Sequence, residues 1–350
     1  MKFVPILKQR KVSVGRLTST VVMALLLLML MGCNLKQSRM PAPVVQPVSI
    51  EEQDGNDVAT AQQWLLTGQK HESADENRLA LMAYLKALTL NPDNQAALLA
   101  AAAQQLELGE QGNAAELYQR ALDADPADVT ALVQLGLINI ARAQFESAQG
   151  YLQQAIVLSR QGSVSVVHWS GSEPTEKTLT RLQHRAYNAL AVLADISGHY
   201  REAQRLYRKA LRLSPNDREV INNRGYSHYL ASRWQAAEQS YTEVLKLSPD
   251  YPPAWRNLGL LYARQGKYME ALQALSRLMT EAQAYSELSY ICMLEGKYQR
   301  ALYFSNRAWL NTPEPDRSMR QQRLKILQLM QNGALAGNGS DNNPTPRIGS

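Results

Sequence analysis

Proline at a fixed interval constrains this chain more than any other feature. Pro92 and Pro126 stand 34 residues apart, and so do Pro215 and Pro249. A period of that length marks a chain built by repeating one supersecondary unit. Other residues keep the same register. Residues 61–94 carry Trp64, Gly68, Ala80, Tyr84, Ala87 and Pro92, and residues 95–128 carry Leu98, Ala102, Ala114, Tyr118, Ala121 and Pro126. A third unit from 129 has Leu132, Gly136, Ala148, Leu152 and Ala155, with Arg160 in place of the proline. Residues 184–217 have Tyr187, Ala191, Ala203, Tyr207, Ala210 and Pro215, and residues 218–251 have Ile221, Gly225, Ala237, Tyr241, Val244 and Pro249. A sixth unit from 252 has Trp255, Gly259, Ala271 and Leu275 and is about four residues short. A seventh from 282 has Tyr285, Ser289, Ala301, Ala308 and Pro313.

Packing explains why these residue types recur. Gly or Ala at the eighth position and Ala at the twentieth let two helices approach closely. The aromatic at the twenty-fourth fills space between neighbouring units. Proline cannot continue a helix interior, so it marks the turn into the next unit. Gly109, Gly198, Gly266 and Gly296 are placed to end first helices in left-handed geometry. The pattern resembles the tetratricopeptide repeat. The resemblance implies an all-α chain: a right-handed superhelical solenoid of about seven helix-turn-helix repeats. Repeats 1–3 cover 61–160 and repeats 4–7 cover 184–313. Residues 314–332, ending in an apolar helical pattern, read as a C-terminal capping helix. Residues 161–183 break the period and carry Gly162, Ser163, Gly171 and Pro174, so a surface insertion loop is expected there. Residues 333–350, rich in Gly, Asn, Pro and Ser, read as a disordered tail.

The N-terminus reads as an address. Lys2, Lys8, Arg10, Lys11 and Arg16 precede an apolar run from Val21 to Met31, with no acidic residue before Cys33. That run is too short to span a bilayer core, which takes roughly 20 residues. A basic start and a short apolar run make a secretory signal peptide, here 1–32. Leu30-Met31-Gly32-Cys33 resembles a bacterial lipobox, which implies lipidation of Cys33 and a new N-terminus there. Acyl chains contribute about 0.8 kcal/mol per buried methylene, so several hold a protein firmly. Asn34 in place of aspartate favours the outer membrane, with the chain facing the periplasm. Residues 33–58 carry Pro41, Pro43 and Pro47 and read as a flexible tether.

The net charge of +6 belongs mostly to that signal. Without residues 1–32 the chain holds 32 basic against 31 acidic residues, which leaves no broad basic surface for nucleic acid. The other cysteine, Cys292, lies in an apolar helical stretch and reads as a small core residue. His71, His168, His184, His199 and His228 have no metal-ligand spacing with carboxylate or thiol. No G-x-S-x-G, Walker or dinucleotide fingerprint occurs. No catalytic residue, metal site or cofactor is therefore assigned, and a binding protein is expected.

In the resembled family, positions two, five, nine and twelve of each repeat line a concave groove. Here they include Arg185, Asn188, Asn222, Tyr226, Tyr229 and Arg256. Asn bonds both donors and acceptors of an extended peptide, Tyr adds stiff contact area, and Arg can hold a carboxylate. Two further stretches narrow the resemblance. These are Asn222-Asn223-Arg224-Gly225-Tyr226, and Leu278 to Tyr285 running on to Leu288-Ser289-Tyr290 and Gly296-Lys297-Tyr298. They look like TadD-like lipoproteins of tight-adherence (Flp pilus) assembly. That implies a lipid-anchored scaffold whose partners are secretin or other Tad components. The alternatives are a scaffold for cell-wall enzymes and a type IV pilotin-like factor.

Overall fold

The computed structural model describes residues 56–161, 176–313 and 317–337. Among them the chain forms fifteen α-helices and no strand. The helices are α1 Asn56–Ser73, α2 Asn77–Leu90, α3 Gln95–Glu107, α4 Gln111–Ala124, α5 Val129–Ala141, α6 Phe145–Gln161, α7 Glu176–Ile196 and α8 Tyr200–Leu213. They continue as α9 Arg218–Leu230, α10 Trp234–Leu247, α11 Pro252–Arg264, α12 Tyr268–Leu275, α13 Glu281–Leu294, α14 Tyr298–Leu310 and α15 Arg317–Gly337. The first fourteen form seven consecutive pairs. The chain divides into two compact units, one ending at Val220 and one starting at Ile221.

The prolines end helices in one way. Helices α2, α4, α8 and α10 stop two residues before Pro92, Pro126, Pro215 and Pro249. Their capping residues Asn91, Asp125, Ser214 and Ser248 share a φ between −138° and −144°. The residue before proline is sterically pushed out of helical geometry, so the same break recurs. Where Arg160 stands in for proline, α6 runs on to 17 residues instead of 14. Side-chain caps then restart the next helix. Asn94 accepts from Ala97 N, Asp128 from Ala131 N and Asp217 from Val220 N. The short sixth repeat has a cause of the same kind. A Thr280–Gln283 capping box starts α13 early and leaves α12 only eight residues.

Within each pair the turn needs a left-handed residue. Gly109, Gly198, Gly266 and Gly296 supply it at φ 73° to 82°, as the sequence suggests, while Asp75, Ala143 and Ser232 occupy φ 57° to 62° in the other three. Backbone bonds such as Glu110 N to Gln105 O, at 2.8 Å, hold the turn whatever the side chain.

Three boundaries differ from the sequence reading. Residues 176–183 of the expected 161–183 insertion are the opening turns of α7. No Gly or Pro follows Pro174 there, Glu176 suits a helix N-terminus, and Leu182 is buried. The capping helix α15 runs through Gly337 into the segment read as a tail. Helix α1 starts at Asn56, inside the segment read as a tether. Residues 162–175 lie outside the described residues, as do the signal segment, Cys33, most of the tether and 338–350.

The first unit buries the expected small and aromatic positions. Tyr84, Tyr118 and Tyr207 are buried among Ala80, Ala114 and Ala203. The hydroxyls of Tyr84 and Tyr207 donate to Glu72 and Asp195, twelve residues upstream in each case. In the second unit Tyr241 and Leu275 take the same role, and a core of Leu288, Cys292, Phe304 and Ile326 joins α13, α14 and α15. Cys292 has no exposed surface, and burial, aided by Glu295, pushes its thiol up to about 11. In a Cys33→Ser background the folded chain at pH 7.5 is therefore expected to resist a thiol-reactive dye and to react once in denaturant. Prompt labelling of the folded chain would contradict the burial.

Candidate partner-binding surface

Repeat spacing brings polar residues from consecutive first helices into line. In the first unit, Arg185 on α7 donates from Nη2 to Oε1 of Gln134 on α5, at 3.3 Å. One turn on, Asn188 Nδ2 donates to Oε1 of Glu219, at the start of α9, at 3.1 Å. His184 Nε2 lies 3.4 Å from Asp217 Oδ2, an electrostatic contact without hydrogen-bond alignment. The result is a polar line: Gln134, Arg185, Asn188 and Glu219, flanked by His184 and Asp217.

Its electrostatics are set by burial. Burial pulls the Arg185 guanidinium below its ordinary value, with Tyr118 and Glu219 acting the other way and Arg181 adding to the fall. Burial raises the Glu219 carboxyl and Asp217 adds to it, while Asn188, Arg185 and His184 hold it down. A desolvated cation held by a neutral amide keeps much of its pull on an incoming carboxylate. The half-buried Arg185 is thus a prepared anion contact.

The second unit differs from the groove reading. Asn222, Tyr226 and Tyr229 are only 3%, 4% and 7% exposed. Asn222 Oδ1 accepts from Asn257 Nδ2 at 3.0 Å, joining α9 to α11. Tyr226 stacks on Tyr229 with ring centres 5.7 Å apart, and Tyr229 meets Trp234 edge-on at 5.5 Å. The Arg264 guanidinium lies 5.8 Å from both the Tyr229 and Trp234 rings. These three predicted groove residues are therefore packing elements, because their rings and amides are already paired within the stack. Arg256 remains exposed, and its charge holds down the Glu287 carboxyl that burial raises.

Of the six predicted residues the structure leaves Arg185, Asn188 and Arg256 accessible. It adds Gln134, Glu219 and Glu287. The register already held a signal for all three, with Glu219 at position two of the fifth repeat. Position six of the third, fifth, sixth and seventh repeats is Gln134, Asn223, Asn257 and Glu287, polar each time.

A second spacing starts from the fourth position of the repeat. Lys209 stands over the Tyr187 ring, Arg277 over Trp255 and Arg307 over Tyr285, always 22 residues on. Where the fourth position of the repeat is leucine, the matching residue instead bonds a turn carbonyl. Arg120 donates to Pro92 O and Gln154 to Pro126 O. These contacts tie the second half of five repeats either to their own first helix or to the turn that precedes it.

Two family models described as tetratricopeptide repeat match the chain, at residues 188–252 and 228–291. The fold is a tetratricopeptide-repeat solenoid. Solved structures agree. A tetratricopeptide repeat protein from Parabacteroides merdae is 13% identical, with 77% of this chain and 99% of that chain covered and a TM-score of 0.55. PilF of Pseudomonas aeruginosa is 18% identical over 67% of this chain and 99% of that chain, with a TM-score of 0.51. PilW, a widely conserved type IV pilus biogenesis factor, is 15% identical over 77% and 98%, with a TM-score of 0.44. At these identities the first two likenesses show the fold alone. No curated protein matches the chain in sequence. Among the described residues of this tetratricopeptide-repeat chain, no three His, Cys, Asp or Glu side chains gather as for a metal, and no helix is long and apolar enough to cross a membrane.

Proposed function

We propose that this chain is a lipid-anchored scaffold, facing the periplasm, that holds proteins during assembly of a tight-adherence (Flp/type IVb) pilus or related secretion system. The observation that carries the binding role is the polar line across α5, α7 and α9, with a half-buried Arg185 at its centre. An extended peptide presents amides and carboxylates at intervals that Asn188, Gln134 and Arg185 can meet. The lipobox ending in Cys33 supports the anchor, and the resemblance of 222–226 and 278–298 to TadD-like lipoproteins supports the pilus system. Secretin and other Tad components are the partners this reading names.

The test has two arms. Deleting the gene is expected to abolish surface fibres, and Arg185→Ala to reduce co-purification of the secretin about tenfold. Normal fibres in the deletion strain would refute the pilus role, and recovery of murein synthases or hydrolases in place of the secretin would move the scaffold to the cell wall. Separately, Cys33→Ala is expected to leave the signal uncleaved and to move the chain out of the outer-membrane fraction. Unchanged processing and fractionation would remove the anchor from the proposal.

A further inference from the structure

The C-terminal end of the second unit carries another surface, separate from the polar line. Helix α15 closes the repeat stack with one face. Ile326 is fully buried in the core, and Gln322 bonds Ser286 of α13 twice, Nε2 to the carbonyl at 3.0 Å and Oε1 from the hydroxyl at 3.2 Å. A closing helix normally turns a polar face to water, because no repeat follows to cover it. Here the outward face holds Leu324 at 60% exposure and Leu327 at 37%, and Leu310 of α14 beside them reaches 77%.

Between α14 and α15 lies an open cleft of about 530 Å³ lined by Asn306, Trp309, Leu310 and Arg323. The Arg323 guanidinium sits 5.6 Å from the centre of the Trp309 ring. Asn306 Oδ1 is buried there with no hydrogen-bond partner. The helix that forms one wall of the cleft is basic. Helix α15 carries Arg317, Arg320, Arg323 and Lys325 and no acidic residue. From 306 to 331 the sequence holds five cations, Arg307 included, against Glu314 and Asp316.

We propose that this end of the stack is a docking surface for an acidic segment of a partner protein, with an apolar side chain entering the Trp309–Leu310 cleft and carboxylates meeting Arg317 and Arg323. Three arguments select that occupant. A second copy joined about a twofold axis would set the cations of α15 against themselves. A membrane surface needs a continuous apolar helix face. The apolar face of α15 is packed on the core, and its two outward leucines alternate with Arg317, Arg320, Gln321 and Gln328. The cleft also sets the Arg323 guanidinium against the Trp309 ring, so an apolar side chain next to a carboxylate meets both together.

The experiment uses the full-length chain in mild detergent and a short fluorescein-labelled peptide in which glutamate and leucine alternate. Anisotropy is expected to show saturable binding. Binding should weaken about tenfold when glutamine replaces glutamate, and by a similar factor in Arg317→Glu/Arg323→Glu and in Leu310→Ser/Leu324→Ser. All of these measurements are made in an Arg185→Ala background, which removes the anion contact of the polar line, so the binding read belongs to this surface. The side chains changed on α14 and α15 lie at the surface, and unchanged circular dichroism will confirm that each variant folds. Equal binding of the glutamine peptide, or an unaltered affinity in the arginine variant, would overturn the proposal. So would Arg317- and Arg323-dependent sedimentation with phosphatidylethanolamine–phosphatidylglycerol vesicles in the absence of peptide binding, or a dimer that Leu324→Ser dissolves.

Discussion

Gly225→Ala is expected to destabilise the chain by about 1–3 kcal/mol, the usual range for overfilling a packed contact. An added Cβ would lie 2.7 Å and 2.9 Å from Cε1 and Cδ1 of Tyr241 and 3.0 Å from Ser240 Cβ. Neither neighbour can yield cheaply. The Tyr241 ring is wholly buried, and Ser240 Cβ is bound directly to the backbone of α10. Gly150→Ala makes the control. It also lies inside a helix, α6, but its Cβ would meet nothing within 4 Å. There alanine only removes backbone freedom from the unfolded chain, and a gain of about 0.5–1 kcal/mol is expected. Gly259→Ala is expected to destabilise as well, since its Cβ would lie 2.7 Å from Cγ and 2.8 Å from Cδ2 of the wholly buried Leu275. Chemical denaturation followed by circular dichroism reads all three. A stabilised Gly225→Ala chain would mean that the helices of the fifth repeat are not in close contact at that position.

That ordering follows from the feature most legible in the sequence. Small residues at the eighth position and bulky ones at the twenty-fourth meet in space because every repeat solves the same packing problem. The residue types were therefore enough to place the helix pairs, the proline breaks and the four glycine turns. Asp75, Ala143 and Ser232 were not legible as turn residues, since their left-handed backbone is imposed by the flanking helices and not by the side chain. The binding surface was read less well. Family positions nominated Asn222, Tyr226 and Tyr229 as groove lining, but whether such a position faces solvent depends on its neighbours. Asn257 bonds Asn222, while Trp234 and Arg264 lie against Tyr229, on which Tyr226 stacks, and no one-repeat pattern encodes that. The third-repeat Gln134 escaped notice because its partner Arg185 lies 51 residues away, across the interruption in the period. The basic, leucine-bearing outer face of α15 follows no repeat position at all. It emerges only once Ile326 and Gln322 show which side is packed.

Asp128→Asn is expected to stabilise the chain at neutral pH and to do nothing in acid. Asp128 is fully buried at the N-terminus of α5, where Oδ1 accepts from Ala131 N at 2.7 Å and Oδ2 from Gln95 Nε2 at 3.1 Å. Burial raises its pKa from 3.8 to about 6, against the pull of those two hydrogen bonds. A carboxyl raised in the fold binds its proton more tightly there than in the unfolded chain. Its contribution is fully present below pH 3.8 and is lost as pH rises through about 6. At roughly 1.4 kcal/mol per unit, the loss by pH 7 is on the order of 2–3 kcal/mol. Asparagine removes the charge and keeps the cap, since its Oδ1 still accepts from Ala131 N. Its amide Nδ2 donates to Gln95 Oε1 once Gln95 turns its amide over, one hydrogen bond replacing the present one from Gln95 Nε2. The difference between variant and parent should therefore rise from near zero at pH 4 to about 2 kcal/mol at pH 7.5, read from denaturant midpoints across pH. Titration of Glu219 and Glu287, also raised by burial, moves both proteins alike and cancels in that difference. Equal stability at pH 7.5, or a gap that persists at pH 4, would show that the charge of Asp128 is held by the α5 N-terminus as comfortably as by water.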